Sequence, residues 1–479
     1  MGLSSLDYFI ILFYLLAIAI WGIISGGKQK STFDYFLGSK KIPWWAVCFA
    51  IVATETSTLT FISIPGVAYA TNLNFLQLTF GYILGRIFIA IFFLPAYYKG
   101  SVETAYKFLE NRFGIKVRKS ASAVFMITRL FADGVRLYAT AIPIKLITGI
   151  DYPTAILITA IATLLYTYIG GIKAVIWMDV IQMFVYLFGA GAAIFVLFKQ
   201  LDINLLSILN STDLTEKISI INIGIGNNIQ NFFSIPYTLP ASIIGGMFLS
   251  MASHGTDQLI VQRLLSTDSL SNSKKAIITS GFIVLIQFAI FLFIGILLFM
   301  FYNGIKMDPN EVFTKYIIEH IPSGISGLII SGLLAAAMST LSGSMNSLAS
   351  ALMFDFLKPK FNFSIEKELK LSRILTFAWC CLLVLSAFLF MNTTKTVVEL
   401  ALSIASFTYG GMLGLFLLGI FFQKISQIDA LIAFALGIAI MIIVILFTKI
   451  AWTWYILIGS FFTILSGNLS SYTRVFIKK

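Results

Sequence analysis

Apolar residues fall along this chain in long blocks separated by short polar stretches. The blocks lie at about 6–25, 43–70, 75–98, 118–148, 152–171, 174–198, 235–260, 276–302, 322–354, 371–391, 396–421, 427–448 and 450–472. Most are close to the roughly 20 residues that carry an α-helix across a hydrocarbon core. The pattern predicts an all-α polytopic membrane protein with about 13 transmembrane helices. The polar connections, of which 199–234 and 303–321 are the longest on one side and 99–117 and 355–370 on the other, are too short for a core of their own. Function is therefore to be sought between the helices.

Composition strengthens this picture. Of 479 residues 58% are hydrophobic and 11% charged, against about 45–50% and about 25% in soluble domains. Cys48, Cys380 and Cys381 lie in apolar blocks, and the two His are remote from them and from each other, so neither a disulfide framework nor a zinc or haem site is expected.

The net charge of +12 raises the question of an anionic partner. With the N-terminus outside, the inner loops and tail hold most of the Lys and Arg, including Lys28, Lys30, Lys40 and Lys41 in the first inner loop and Lys358, Lys360, Lys367, Lys370 and Arg373 in a later one. The positive-inside rule then selects N-out, C-in in a bacterial inner membrane. The basic balance needs no nucleic acid, and no obligate protein partner is implied. MGLSSLD before the first block has no basic n-region, so that block reads as a retained helix.

The chemistry lies in polar residues that lipid does not tolerate, each central charge costing at least ~2.5–3.5 kcal/mol. The second block places Thr54, Glu55, Thr56, Ser57, Thr58 and Thr60 together, followed by Pro65-Gly66. Such a stretch suits an unwound helix whose freed carbonyls line a hydrated site; a packed helix interface is the alternative. Arg129, Asp133 and Arg136 share one helical face. They form either a self-neutralised network or a polar wall with an Arg free for an anionic group. Asp179 has no local counter-charge, so it faces a bound cation or pairs with Arg86 or another helix. Ser253 to Gln258, with His254 and a central Gly255, again looks like an interrupted helix, and Ser339, Thr340 and Ser342 offer the oxygens that Na⁺ prefers.

One interruption falls in the second block and the other five blocks later, the spacing of five-plus-five inverted repeats that each begin with a broken helix. The organisation that follows is an extra helix with a basic loop over 1–42, a first repeat over 43–199, an outer loop over 200–234, a second repeat over 235–421 and two terminal helices over 422–479.

These residues bring a family into view. The whole chain resembles the sodium:solute symporters, which include sodium/glucose, proline, iodide and bacterial sialic acid transporters. The likeness is carried by Ala-Thr-x-x-Ser-x-x-Thr-Phe-x-Ser-Ile-Pro at 53–65, Gly-Gly-Ile-x-x-Val-Ile-Trp-x-Asp-Val-Ile-Gln at 170–182, Thr-Asp-Gln-x-x-Val-Gln-Arg at 256–263 and the serine stretch 335–347. It implies a LeuT-like inverted repeat with two discontinuous helices. It also implies a main Na⁺ site at the carbonyls of Ala53, Thr56 and Ala336 and the hydroxyls of Ser339 and Thr340. A second Na⁺ site, seen in the sialic acid branch, falls on Asp179, Ser339 and Ser342, with Gly343 where that branch has a further serine. Its substrate Arg falls on Ala132, beside Arg129 and Arg136. The sugar branch's Lys falls on Val284, its late Gln near Leu402 and its stacking aromatics on Ser253 and His254. Glu55 stands where relatives carry Thr or Asn.

The reading that results is Na⁺-coupled symport of a small polar organic solute by alternating access, not an enzyme. Glu55, Ser57, Thr60, Phe75 and His254 form the expected pocket, with Arg129, Asp133 and Arg136 as its wall. Phe75 opens the helix after an expected Pro65-Gly66 break, where the family closes the outer side of the pocket. The Glu55 carboxylate favours a neutral polyol or a cationic amine over an acid. The alternatives are H⁺ coupling through Glu55 or Asp179 and Na⁺-coupled uptake of sialic acid or another carboxylate.

Overall fold

A computed structural model of the chain describes residues 3–477 apart from 101, 203–213, 225–228 and 392–396. Part of the 200–234 connection and the side chain of Leu402 lie outside the described residues. Every apolar block is helical, and among the described residues no strand occurs.

Numbered along the chain, the helices of the main body are α1 (Ser5–Gly26), α2 (Trp44–Glu55), α3 (Thr58–Ala70), α4 (Gln77–Phe88), α5 (Ile115–Thr148), α6 (Tyr152–Leu201), α7 (Leu239–Gly255), α8 (Gln258–Leu265), α9 (Leu270–Phe301), α10 (Ile325–Leu352), α11 (Ile365–Leu389), α12 (Val397–Phe421), α13 (Gln427–Phe447) and α14 (Tyr455–Ile477). By length and composition seven described helices can cross a membrane unaided, or eight if one bent pair is a single span. Most of the others are shortened by a break or, like α5, carry charges.

Helix α10 is the centre of the body. Every residue from Ile329 to Ala351 is buried, and its Ala, Ser and Gly side chains let neighbouring backbones approach closely. Around it, α1 turns Phe9, Phe13 and Trp21 outward, and α13 does the same with Leu446 and Phe447, the faces that lipid would cover. The two blocks at 152–171 and 174–198 form one 50-residue helix, α6, bent at Gly171 (φ +57°, ψ −155°). A Cβ there would meet the Tyr35 carbonyl, so both the backbone angle and the space require glycine.

Helix α2 stops at Glu55 because Thr56 (ψ +96°) and Ser57 (φ −90°, ψ 171°) are extended, and α3 restarts at Thr58. The hydroxyls of this stretch compete with the helical ladder: Thr54 Oγ1 donates to the Ala50 carbonyl at 2.7 Å and Thr56 Oγ1 to the Val52 carbonyl at 2.9 Å. Tyr186 and Gln287 also donate to the Thr56 hydroxyl.

The expected break at Pro65-Gly66 is absent. Pro65 sits inside the continuous α3. Gly295 lets α9 come against the Pro65 carbonyl, and Gly66 meets the Pro309 backbone, so packing from both sides holds the helix together across the missing N–H. A second interruption separates α7 from α8 at Thr256 and Asp257 (ψ +124°). Asp257 caps α8, its Oδ1 accepting from the Leu259 N–H at 2.9 Å.

Candidate functional site

The two breaks face one cavity of about 250 Å³. Glu55, Ser57 and Thr60 reach it from the first break, Ser253 and His254 from the end of α7, Phe75 and Tyr82 from in and around α4, and Arg129 and Arg136 from α5. Sequence reasoning had assembled most of these residues. Asp133 is not on the wall: it lies behind it, 2% exposed. Tyr237, Phe288, Tyr409 and Trp452 also line the cavity and were not anticipated. Their signal is weak, because single aromatics are common in every apolar block. Phe75 packs against Tyr237 and Phe288 with both ring centroids 5.3 Å away, and Tyr237 against Trp452 at 6.3 Å.

The charges at the cavity are arranged unlike the expectation. Glu55 is not a free carboxylate: its Oε2 pairs with Arg86 and lies 3.4 Å from His254 Nε2. Arg86 is fully buried and donates at 2.8 Å to Ser280 Oγ. It reaches Glu55 because Gly81 and Gly85 bring α4 against α7; a Cβ on Gly85 would lie 2.7 Å from Ser250 Cβ. An arginine at membrane depth announces a partner, and the partner lies 31 residues away in sequence.

On α5, Arg129 is held by Asp257, by Tyr409 at 3.1 Å and by Asp133 at 3.4 Å. It is the structural member of the wall. Arg136 donates to Asp133 Oδ1 at 2.8 Å with one Nη, and its side chain is 28% exposed beside the cavity. It is the guanidinium of this wall with an accessible face.

Behind the first break, α2 meets α10. The Thr340 hydroxyl lies 3.4 Å from the Thr54 carbonyl and 3.2 Å from that of Ala336. Ala53, Thr56, Ala336, Ser339 and Thr340 are all buried. Ending a helix frees its last carbonyls, so Ala53 and Thr56 can turn oxygens toward α10. An all-oxygen set of carbonyls and hydroxyls suits Na⁺, and these residues fit the main site expected for them.

Of the two readings of Asp179, the pair with another helix is the one seen, though its partner is Arg263 of α8 and not Arg86: Arg263 Nη2 lies 2.8 Å from its Oδ2, and Ser339 Oγ donates to its Oδ1 at 2.7 Å. Ser342 Oγ donates to the Ser339 carbonyl at 3.0 Å. The pair joins residues 84 apart in sequence, and no local pattern on α6 announces it.

Comparison with known proteins agrees with this geometry. The model of the sodium:solute symporter family matches residues 35–437. The chain is similar to the sodium/sialic acid symporter NanT of Aliivibrio fischeri, with 29% identity over 98% of this chain and 93% of the relative. It is also similar to the sodium/sialic acid symporter SiaT of Proteus mirabilis, with 28% identity over 97% and 95%. A solved structure of a Na⁺-coupled sialic acid symporter in a substrate-bound, outward-open state superposes with a TM-score of 0.89 at 26% identity, covering 98% of both chains. The chain belongs to the sodium:solute symporter family and is a Na⁺-coupled transporter rather than an enzyme.

Proposed function

We propose that the cargo is a small hydroxylated carboxylate, taken up with Na⁺ by alternating access. The observation that carries this reading is the Glu55–Arg86 pair. It cancels the charge that argued against an acid and leaves the Arg136 guanidinium as the accessible cation of the wall. A carboxylate can take parallel N–H bonds from such a fork. Ser57, Thr60, Ser253 and the unshared oxygen of Glu55 then meet hydroxyl or amide groups, while Phe75, Tyr237 and Trp452 cover the apolar face. The relatives named for sialic acid fit this class.

Ala53, Thr56 and Ala336 carbonyls with the Ser339 and Thr340 hydroxyls are the proposed Na⁺ ligands. They tie the broken α2 to α10, and solute binds the arrangement that the ion favours, so each raises the affinity for the other. The matching breaks in α2–α3 and α7–α8 support a five-plus-five inverted repeat over 43–199 and 235–421. Counting the broken pairs and the two halves of α6 as spans gives thirteen crossings, and the basic loops place the N-terminus outside a bacterial inner membrane.

Thermal stability of the purified protein tests the cargo. A ligand of the folded state raises the melting temperature, so sialic acid or another hydroxylated carboxylate should do so in Na⁺ and not in K⁺. A shift with neutral sugars and none with any acid would reverse the reading.

A further inference from the structure

We infer that Glu55, His254 and Ser253 offer the solute hydrogen-bond acceptors only, so that the cargo must carry a hydroxyl or amide N–H donor besides its carboxylate. The inference rests on the cargo reading above and adds to it what this part of the pocket selects.

The assignment starts at Arg86, whose guanidinium can donate but not accept. Its Nη1 donates to Ser280 Oγ at 2.8 Å, while its Nη2 donates to Glu55 Oε2 and lies 3.1 Å from His254 Nε2. Facing that donor, Nε2 must carry its lone pair. It lies 3.4 Å from Glu55 Oε2, too far for a good N–H···O bond in the other sense. The proton of the neutral imidazole therefore sits on Nδ1, which donates to Ser253 Oγ at 2.8 Å. Ser253 in turn gives its own proton to the Leu249 carbonyl at 2.8 Å.

Each of these protons is thus directed at another protein atom. Arg86 is fully buried, so none of its N–H groups reaches the cavity, and both ring nitrogens of His254 are engaged. Glu55 and Ser253 line the cavity, and what they can still offer it is the second carboxylate oxygen of Glu55 and one lone pair on Ser253 Oγ. A solute hydroxyl or amide N–H gains a bond here, strengthened at Glu55 by the ionised acceptor. Because Arg86 balances Glu55, a neutral donor is enough and no ammonium is called for. An ether, a ketone or a second carboxylate would meet lone pairs with its own. A site built to bond a donor rejects the analogue that lacks it.

Isothermal titration of the full purified chain in Na⁺ tests this, with sialic acid and analogues that lack one donor at a time. A hydroxyl is replaced by hydrogen or by fluorine, which brings no proton, and the amide N–H by an ester oxygen. Removing the donor that meets Glu55 should weaken binding at least about tenfold, with fluorine no better than hydrogen. Glu55→Gln should relax that rule, since its amide oxygen takes Arg86 and its NH₂ turns to the cavity. The fluoro or ester analogue at that position should then close most of its gap to the parent solute. Fluorine matching the parent at every hydroxyl, with no loss from the ester, would overturn the inference and leave the cargo reading standing. A folded Glu55→Gln that keeps the wild-type order would overturn it as well, and the wild-type series decides alone if that variant does not fold. No binding of sialic acid in Na⁺ would instead count against the cargo reading, and the inference falls with it.

Discussion

Two acidic side chains flank the first helix break, and each pairs with an arginine from a distant segment. Glu55 stands at the cavity wall, 14% exposed, with His254 beside it and Arg86 buried behind it. Asp179 and Arg263 lie behind the break, off the cavity and closed to water. A pair at a wet wall can be rearranged by an incoming solute, because water and solute hydrogen bonds replace what is lost. A sealed pair has no such substitute, and breaking it strands a charge. The contrast separates a pair that faces the cavity from a sealed pair beside the proposed sodium ligands.

The largest expected effect is on stability. Asp179→Asn should cost about 3–5 kcal/mol by leaving Arg263 unmatched in a dry site. Glu55→Gln, at the wetter pair, should cost clearly less. Melting temperatures of the two variants, measured side by side without Na⁺, check the difference, and equal losses would erase the distinction drawn between the pairs. Next comes Arg136→Gln, which removes the accessible guanidinium. A hydrogen bond to a charged group is worth about 1.5–3 kcal/mol, so solute affinity should fall roughly ten- to hundredfold. Apparent Na⁺ affinity at saturating solute should stay near that of the wild type.

Thr340→Ala deletes one oxygen from the α2–α10 contact without touching either ion pair. Apparent Na⁺ affinity in proteoliposome uptake should fall about tenfold, or ~1.4 kcal/mol, with the melting temperature in Na⁺-free buffer little changed. An unaltered Na⁺ dependence would remove Thr340 from the site.

Much of this was legible in the sequence. The hydroxyl-rich stretches 54–60 and 253–258 signalled both breaks, since Ser, Thr and Asp compete locally with the helix ladder. Most of the cavity wall followed from charges and hydroxyls in apolar blocks. Pro65 misled, because its cost is met by α9 and by Pro309, contacts made across the chain. The pairing of charges was hidden for a related reason. Arg86 was weighed as a partner for Asp179 alone, while Glu55 stood as a free carboxylate. Long-range packing decides such pairings, and the wrong choice for Glu55 carried over into an expectation of neutral or cationic cargo.

The central claim is that an inward Na⁺ gradient drives a hydroxylated carboxylate through this cavity. Uptake of labelled sialic acid into proteoliposomes, with Na⁺ or K⁺ outside, tests it most directly. The account predicts accumulation above the external concentration with Na⁺, none with K⁺, and loss of that accumulation in Arg136→Gln. Accumulation of a neutral sugar in its place, or uptake of any acid that proceeds equally in K⁺, would contradict it.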